Sequence, residues 1–390
     1  MKLRPEVTGV TESPLLLVGT LAESIPGTIR LCYGESDLPT PEFIVRAAND
    51  AMAAGHTYYT HTAGYPELRE AIAAKTRELH GVECRGSEIM STVGATMALY
   101  AAIRACVGPG DNAIVLAPAY SSFVNAIIIC GAEPREVPLA VDGDRFRLDL
   151  DRIERAIDAN TRMLIVNSPH NPTGCVFTTE EQHALLGLAD RHDLVILSDE
   201  VYERIVYDMP LAPSFAVAAA EDSLRDRLIV ANSFSKAYNM TGWRLGWAQS
   251  TEATIKTMYK AVEFMTSNAS SMVQQAGIVA LRDGEPFIAA LRASYAARRE
   301  QALAALADVP GVSIVYPEGA FYAFLKVDGL TDSISFTERL VREGGLALTP
   351  GLAFGKHGEG YVRLCFASSE AVIADGIQRL TRFMSTYVQS

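Results

Sequence analysis

The sequence predicts an α/β fold with a largely parallel sheet, followed by a smaller α+β unit. Short apolar runs alternate with helical patterns through the middle of the chain, which is typical of such sheets. Most of these runs lack polar alternation, as expected of strands covered on both faces. Past Arg282 the pattern changes to a long helix and then a mixture of strands and helices. A chain of 390 residues is long enough for two domains.

The strands of the main sheet are predicted from seven apolar runs, at residues 89–93, 114–117, 134–137, 163–167, 195–198, 228–231 and 245–248. Helical patterns separate most of them, at residues 97–106, 121–130, 150–159 and 179–192. The first forty residues contain several prolines and are expected to be irregular. In parallel sheets, ligands lie beyond the carboxyl ends of the strands, so we expect the chemistry in the loops that follow them.

The smaller unit is predicted from the C-terminal third of the chain. Its elements are a helix at 286–307, strands near 312–315 and 320–325, a helix at 333–343, strands near 347 and 361–366, and a last helix from residue 370. The N-terminal residues are expected to pack with it. We therefore expect a large domain at 45–285 and a small domain built from both chain ends, 1–44 and 286–390.

Composition excludes several classes of function. The net charge of −12 argues against nucleic acid, which requires a basic face. No early apolar run is long enough to span a bilayer, and no basic amphipathic stretch suggests a membrane surface. The six cysteines are scattered without a C-x-x-C pair, so neither a metal site nor a disulfide framework is expected. Reduced thiols favour a cytoplasmic protein.

The most informative stretch is Ser233-Phe234-Ser235-Lys236, with Arg244 eight residues after the lysine. Arginine and serine suit a phosphate monoester, and a lysine with a lowered pKa forms Schiff bases with carbonyls. Pyridoxal 5′-phosphate carries both an aldehyde and a phosphate. Taken alone, the stretch fits a polar loop after a strand equally well.

The other loops add side chains of the same kind. Gly94, Ala95 and Thr96 form a strand-to-helix turn that can attract an anion or be only a tight turn. Tyr120 can stack on a flat ring, although a buried tyrosine is the simpler interpretation. Asp199 follows an apolar run directly, where its carboxylate needs a partner such as a pyridinium N–H, unless it caps a helix. Asn171 and Tyr202 lie where each can reach the same ligand, whereas His170 is expected only to neighbour the site.

Seven strings in order resemble the fold-type I pyridoxal-phosphate enzymes, specifically the class I/II aminotransferases of the aspartate aminotransferase superfamily. They are Y-x-x-x-x-G-x-x-x-L-R-E-A-I (59–72), A-P-x-Y (117–120), S-P-H-N-P-T-G (168–174), S-D-E-V-Y (198–202), S-F-S-K (233–236), G-W-R-L-G (242–246) and R-L-C-F-A (363–367). The resemblance implies that family's fold, with a seven-stranded sheet in the large domain.

The resemblance also implies roles for the matching residues. The catalytic residues would be Lys236, which forms the Schiff base and moves the proton, Asp199 at the ring nitrogen and Tyr202 at the ring oxygen. Cofactor binding would further involve Tyr120 on the ring, Asn171 at its oxygen, and phosphate contacts from Gly94, Ala95, Thr96, Ser233, Ser235 and Arg244. Tyr59 would reach the phosphate of a neighbouring subunit in a homodimer with shared active sites. Arg363, Gly34 and Asn171 would bind the substrate, and no metal is expected.

The implied function is transfer of an amino group between an amino acid and a 2-oxo acid. A lyase, cyclase or oxidase of the same fold is the main alternative, because the site residues are nearly shared. A regulator of this fold is less favoured, since it would need an added DNA-binding domain. Some bacterial aspartate aminotransferases have lysine where Thr96 stands, and no spare cation is evident in the pocket strings. We therefore expect donors with neutral, apolar or aromatic side chains.

Overall fold

The computed structural model describes residues 3–10, 12–143 and 145–387. The strands, in chain order, are β1 Ile29–Arg30, β2 Ile89–Thr92, β3 Asn112–Ala117, β4 Glu133–Pro138, β5 Ala140–Asp142, β6 Arg145–Arg147, β7 Thr161–Asn167, β8 Val195–Asp199, β9 Leu228–Ser233, β10 Gly246–Gln249, β11 Val312–Val315, β12 Tyr322–Val327, β13 Leu346–Ala347, β14 Thr349–Pro350 and β15 Tyr361–Cys365.

The helices are α1 Pro5–Thr8, α2 Pro14–Ser24, α3 Glu42–Ala53, α4 Pro66–His80, α5 Gly94–Cys106, α6 Ser121–Ile129, α7 Leu150–Arg155, α8 Thr179–Arg191, α9 Phe215–Glu221, α10 Glu252–Glu263, α11 Ser271–Asp283, α12 Glu285–Leu306, α13 Ser333–Arg339 and α14 Glu370–Tyr387. Local sequence explains several ends. Helix α8 begins at a capping box of Thr178 and Glu181. Helix α4 has Pro66 in its first turn and ends at Gly81, which is in the left-handed region.

The seven strands predicted for the main sheet all form, in the order β2-β10-β9-β8-β7-β3-β4. Neighbouring strands are parallel except β10, which is antiparallel to both β2 and β9. The seven-stranded, mostly parallel sheet is therefore confirmed. Because six strands run the same way, their carboxyl ends meet at one edge, and the antiparallel β10 begins at that edge.

Helices cover both faces of this sheet. Residues of α5, α6 and α10 pack with Met90, Val115 and Ile165 on one face. Residues of α8 and α9 pack with Ile114, Leu164 and Ile196 on the other. Successive residues of a strand thus enter opposite cores, which explains why the runs are apolar throughout.

A second sheet of order β11-β12-β15-β14 is antiparallel where its strands pair. Helices α12 and α14 pack on it around Tyr295, Phe321, Leu325 and Ile377. These elements agree with the predicted C-terminal helices and strands. The domain boundaries remain a prediction; the one at residue 45 falls within the first turn of α3, and the one at 286 falls at the start of α12.

The prediction of irregular structure over the first forty residues is wrong for α2. Val18 and Ala22 on its inner face pack against the nearby Cys32 and against Val341 and Ala347, which lie far along the chain. This tertiary burial, rather than a strong local pattern, stabilises the helix. The β5–β6 hairpin and helices α9, α10 and α11 are not among the elements predicted from the sequence.

A close backbone contact joins β10 to the start of α5, and it gives a first prediction. A Cβ on Gly246 would lie 2.6 Å from the Ala95 nitrogen and 2.8 Å from the Asn232 carbonyl oxygen, so the backbone would have to move. Gly246→Ala should therefore lower the midpoint of thermal unfolding, because the backbone at Ala95 or Asn232 has to move to admit the methyl group. Gly242→Ala is the matched control, because nothing lies within 4 Å of its Cβ position. Equal midpoints for the two variants would contradict the contact.

Candidate active site

One cavity of about 280 Å³ opens at the edge where the carboxyl ends of the parallel strands meet. Loops after β2, β3, β7, β8 and β9 contribute to it, as do the turn before β10 and residues of the second sheet. Its lining is Leu15, Gly34, Glu35, Ala95, Thr96, Leu99, Tyr120, Asn167, Asn171, Asp199, Val201, Tyr202, Ser233, Ser235, Lys236, Thr241, Arg244, Tyr322 and Arg363.

Twelve residues named from the sequence line this cavity together: Gly34, Ala95, Thr96, Tyr120, Asn171, Asp199, Tyr202, Ser233, Ser235, Lys236, Arg244 and Arg363. Two do not. Gly94 lies just behind the lining, where a Cβ would overlap the Arg244 guanidinium. Tyr59 is 89% exposed and lies outside the lining, so its role toward a neighbouring subunit stays a prediction.

Lys236 places its amine in the cavity from the loop after β9. Nζ donates to the Gly34 carbonyl oxygen at 2.7 Å and lies 5.7 Å from the Tyr202 ring centroid and 5.6 Å from that of Phe321. Removal from bulk water lowers the pKa of this amine to about 8. The neutral fraction near neutral pH is therefore larger than for an ordinary lysine, which suits a nucleophile or a proton carrier.

Asp199 ends β8 with a buried carboxylate that has little protein support. Its Oδ1 accepts one hydrogen bond, from the Val201 N–H at 3.3 Å. Burial raises the pKa of this carboxyl to about 7. A cationic N–H in the cavity would supply the missing partner.

Arg363 lies on β15 of the second sheet and is 3% exposed. It donates to the Asn171 Oδ1 and the Cys32 carbonyl oxygen, both at 2.8 Å, and to the Thr349 hydroxyl at 3.2 Å. All three acceptors are uncharged, and the buried Nε has no hydrogen bond within the described residues. A buried guanidinium without a carboxylate partner fits a carboxylate ligand.

The turn between β2 and α5 faces Arg244 and the two serines. Helix α5 runs for 13 residues, so its first N–H groups form a partial positive charge toward the cavity. Ser233 and Ser235 are buried, and the Ser235 N–H donates to the Ser233 hydroxyl at 3.2 Å. Arg244 is held by a hydrogen bond from Nη1 to the Thr241 carbonyl oxygen at 2.8 Å. These donors suit a phosphate.

The residues present therefore fit pyridoxal 5′-phosphate. The hydroxyl, guanidinium and helix N–H donors would hold its phosphate, and the Asp199 carboxylate, which accepts one hydrogen bond, would pair with its ring nitrogen. The Lys236 amine would bond to its aldehyde. Within the described residues, no group of histidine, cysteine, aspartate and glutamate side chains could hold a metal ion.

Several residues of the cavity are not among those predicted from the sequence. Asn167 ties two strand ends together, since its Nδ2 donates to the Asp199 carbonyl oxygen at 2.9 Å and its Oδ1 accepts from the Asn171 N–H at 2.8 Å. Asn167 was visible as a polar residue ending a buried run. Leu15, from the unpredicted α2, and Tyr322, from the second sheet, gave no local signal. His170 is buried against Thr173 and lies outside the lining.

Comparison with known proteins gives consistent matches. Residues 26–380 match the family model described as aminotransferase class I and II. An aromatic-amino-acid aminotransferase 2 of Thermococcus litoralis is 34% identical over 389 residues, which is 98% of each chain. An aspartate aminotransferase of Pyrococcus abyssi is 35% identical over 380 residues, 96% of each. The structure of a Thermus thermophilus aspartate aminotransferase with maleate is 34% identical, with a TM-score of 0.91 over 98% of this chain and 99% of that one.

Because burial raises the pKa of the Asp199 carboxyl, the free energy of unfolding of the cofactor-free protein should depend on pH. Its pKa in the fold, about 7, is raised above the usual 3.8. The fold thus favours the neutral form, and that contribution to stability is present at low pH and is lost as the pH rises through about 7. Asp199→Asn stays neutral, so its free energy of unfolding relative to wild type should increase between pH 5 and pH 8. Urea unfolding at the two pH values measures this. The other titrating groups are the same in the two proteins, so the comparison isolates residue 199. The prediction is contradicted if the difference in free energy of unfolding is the same at pH 5 and pH 8.

Proposed function

The chain belongs to the class I and II aminotransferase family, and we propose that it transfers the amino group of a neutral amino acid to a 2-oxo acid. It is a pyridoxal-phosphate-dependent aminotransferase, as its family implies. Its preference for apolar or aromatic side chains is supported by one observation above all. Every lysine and arginine in the described cavity lining already has a proposed role, so none remains for a second substrate carboxylate.

The proposed roles of the residues that hold the cofactor follow from their donors. Ser233, Ser235, Thr96, Arg244 and the N–H groups at Gly94 and Ala95 would bind the phosphate. Tyr120 would cover the ring, and Asn171 and Tyr202 would donate to the ring oxygen. Asp199 would pair with the ring nitrogen. When bound, the cofactor supplies an electron sink that makes the α-proton of the amino acid removable.

Lys236 would bond to the cofactor aldehyde and, once displaced by the donor, would move the α-proton with its freed amine. The neutral amine takes this proton at Nζ and later returns it, which its lowered pKa favours. The Gly34 carbonyl oxygen, which accepts from Nζ in this structure, keeps the amine inside the cavity.

Arg363 would bind the substrate α-carboxylate. Its position is fixed by three neutral acceptors and by the rings of Tyr322 and Phe354, whose centroids lie 4.2 and 4.9 Å from Cζ. A carboxylate bound here would supply the negative charge that none of the three protein acceptors of Arg363 carries.

The remaining wall supports a preference for apolar side chains. It includes Leu15 and Leu99, with Glu35 as a carboxylate of the same sign as an acidic substrate. Arg30, which precedes the Gly34 segment in the sequence, pairs with Glu23 at 3.2 Å and lies outside the lining. The relatives named above include aromatic and aspartate enzymes at similar identity, so their names do not choose between the two classes.

A homodimer with shared active sites is proposed from the surface next to the cavity. A broad depression beside it is lined by Leu38, Val45, Met52, Trp243 and other residues, and Thr241 lines both this depression and the cavity. Tyr58 and Tyr59 are 81% and 89% exposed. Exposed apolar surface of this kind favours association, and a second copy would bring its Tyr59 toward the site. A fully active monomer would contradict the shared site.

A cytoplasmic location is proposed from the thiols. All six cysteines are free, and five of them are buried. Separately, none of the helices among the described residues is both long enough and apolar enough to cross a membrane.

The substrate proposal predicts an order of amino donors. An unpaired second carboxylate in the cavity should cost ~2–5 kcal/mol, which corresponds to at least ~30-fold in specificity. We expect kcat/KM for leucine, methionine and phenylalanine to exceed that for aspartate by about this factor, with one common acceptor. Formation of a new amino acid only when the acceptor is present also separates transamination from a lyase reaction. Aspartate as the best donor would show that a cation reaches the cavity from elsewhere, including a partner subunit.

A matched pair of variants tests the apolar wall directly. Leu15→Arg places a guanidinium at the cavity, and it should raise kcat/KM for aspartate relative to leucine. Leu16→Arg adds the same charge to α2 at a position that is 61% exposed and outside the lining, so the ratio should stay unchanged.

A further inference from the structure

Two buried phenols meet at the wall of the cavity. The Tyr202 and Tyr322 hydroxyl oxygens are 2.7 Å apart, and the two side chains are 3% and 1% exposed. Tyr202 follows β8 of the large sheet, whereas Tyr322 begins β12 of the second sheet. The roles proposed above use the Tyr202 hydroxyl and the Tyr322 ring, and they leave the Tyr322 hydroxyl without a role.

Tyr322 is held in place on three sides. Its ring faces the Arg363 guanidinium, with Cζ 4.2 Å from the ring centroid. Its hydroxyl lies so close to Gly34 that a Cβ there would overlap it. The ring of Phe321 packs at 4.8 Å between centroids. The hydroxyl therefore stays beside Tyr202.

The two hydroxyls share one hydrogen bond but carry two protons. Burial raises the pKa of both phenols, so both are neutral at ordinary pH. Arg363 acts in the opposite direction on the pKa of both phenols, but burial is the larger cause. The 2.7 Å separation allows either hydroxyl to be the donor. A Tyr202 proton that is donated to a cofactor oxygen cannot also lie between the two phenols, so the Tyr322 proton then has to make this contact.

We propose that Tyr322 is a positioning residue whose hydroxyl donates to the Tyr202 oxygen, so that the Tyr202 proton remains free to donate to a cofactor oxygen. The inference rests on the role of Tyr202 proposed above. Chains of hydrogen bonds polarise one another, so the bond from Tyr322 makes Tyr202 a stronger donor. Tyr322 acts through Tyr202 and not on the reacting atoms.

Among the described residues, five other titratable side chains surround the two phenols, and none of them is substituted in the test variant. They are Asp199 at the end of β8, Lys236 after β9, Arg363 and Cys365 on β15, and Tyr120 after β3. Tyr322→Phe removes only the hydroxyl and keeps the ring against Arg363. A change in this variant therefore reports on the hydrogen bond.

The test is a pH titration of the visible absorbance of the holoenzyme, without substrate. A hydrogen bond donated to the ring oxygen favours its proton-poor form, so weakening that bond raises the midpoint. Tyr322→Phe should raise it by about 0.5 pH unit, roughly threefold in the proton equilibrium. Tyr361→Phe, the same change on β15 outside the cavity lining, should leave the midpoint unchanged.

A double-mutant cycle decides whether Tyr322 acts through Tyr202. Tyr202→Phe alone should raise the midpoint further than Tyr322→Phe. In the Tyr202→Phe background, adding Tyr322→Phe should have no further effect. An unchanged midpoint in Tyr322→Phe, or an undiminished shift in the Tyr202→Phe background, would overturn the proposal. The measurement needs bound cofactor but no turnover, so an error in the proposed substrate class would not affect it.

Discussion

The site depends on one physical constraint: a charged group that is buried needs a partner of opposite charge or enough hydrogen bonds. Within the described residues, three ionisable side chains around the cavity have no partner of opposite charge in contact. Asp199 accepts a single N–H, Arg363 bonds only to neutral oxygens, and Lys236 donates to a carbonyl oxygen. Leaving such groups unpaired is costly, so the complement has to come from what binds. In the proposed site, a ring nitrogen, a carboxylate and an aldehyde would together supply the partners of all three groups.

The fold holds these groups in place from distant parts of the chain. The parallel sheet places Asp199 and Lys236 at neighbouring strand ends, and the antiparallel second sheet brings Arg363 to the same cavity. The segment that carries Gly34 is fixed from two sides. Asp37 pairs with the buried Arg298 of α12 at 2.7 Å, and the Asn239 side chain, three residues after Lys236, donates to the Leu38 carbonyl oxygen at 3.3 Å. The carbonyl oxygen that accepts from Lys236 is thus tied to both sheets.

Sequence reasoning found what is encoded locally. The strands were predictable because each is a continuous apolar run, and Asp199 was visible because a carboxylate follows such a run directly. Leu15 was missed because α2 is stabilised by contacts with residues more than three hundred positions away, such as Val341. Tyr322 was missed because its partner Tyr202 is 120 residues away. Tyr59 needs a second chain, and its role remains a prediction.

The identity of the reactive lysine tests the account most directly. Borohydride treatment of the holoenzyme followed by peptide mass analysis would locate the lysine bonded to the cofactor. The account predicts the adduct on Lys236, whose amine lies in the cavity with a lowered pKa. Lys75 serves as an internal comparison, because it is similarly shielded but pairs with Glu78 and Glu285 outside the cavity. An adduct on Lys75 or any other lysine would contradict the central claim.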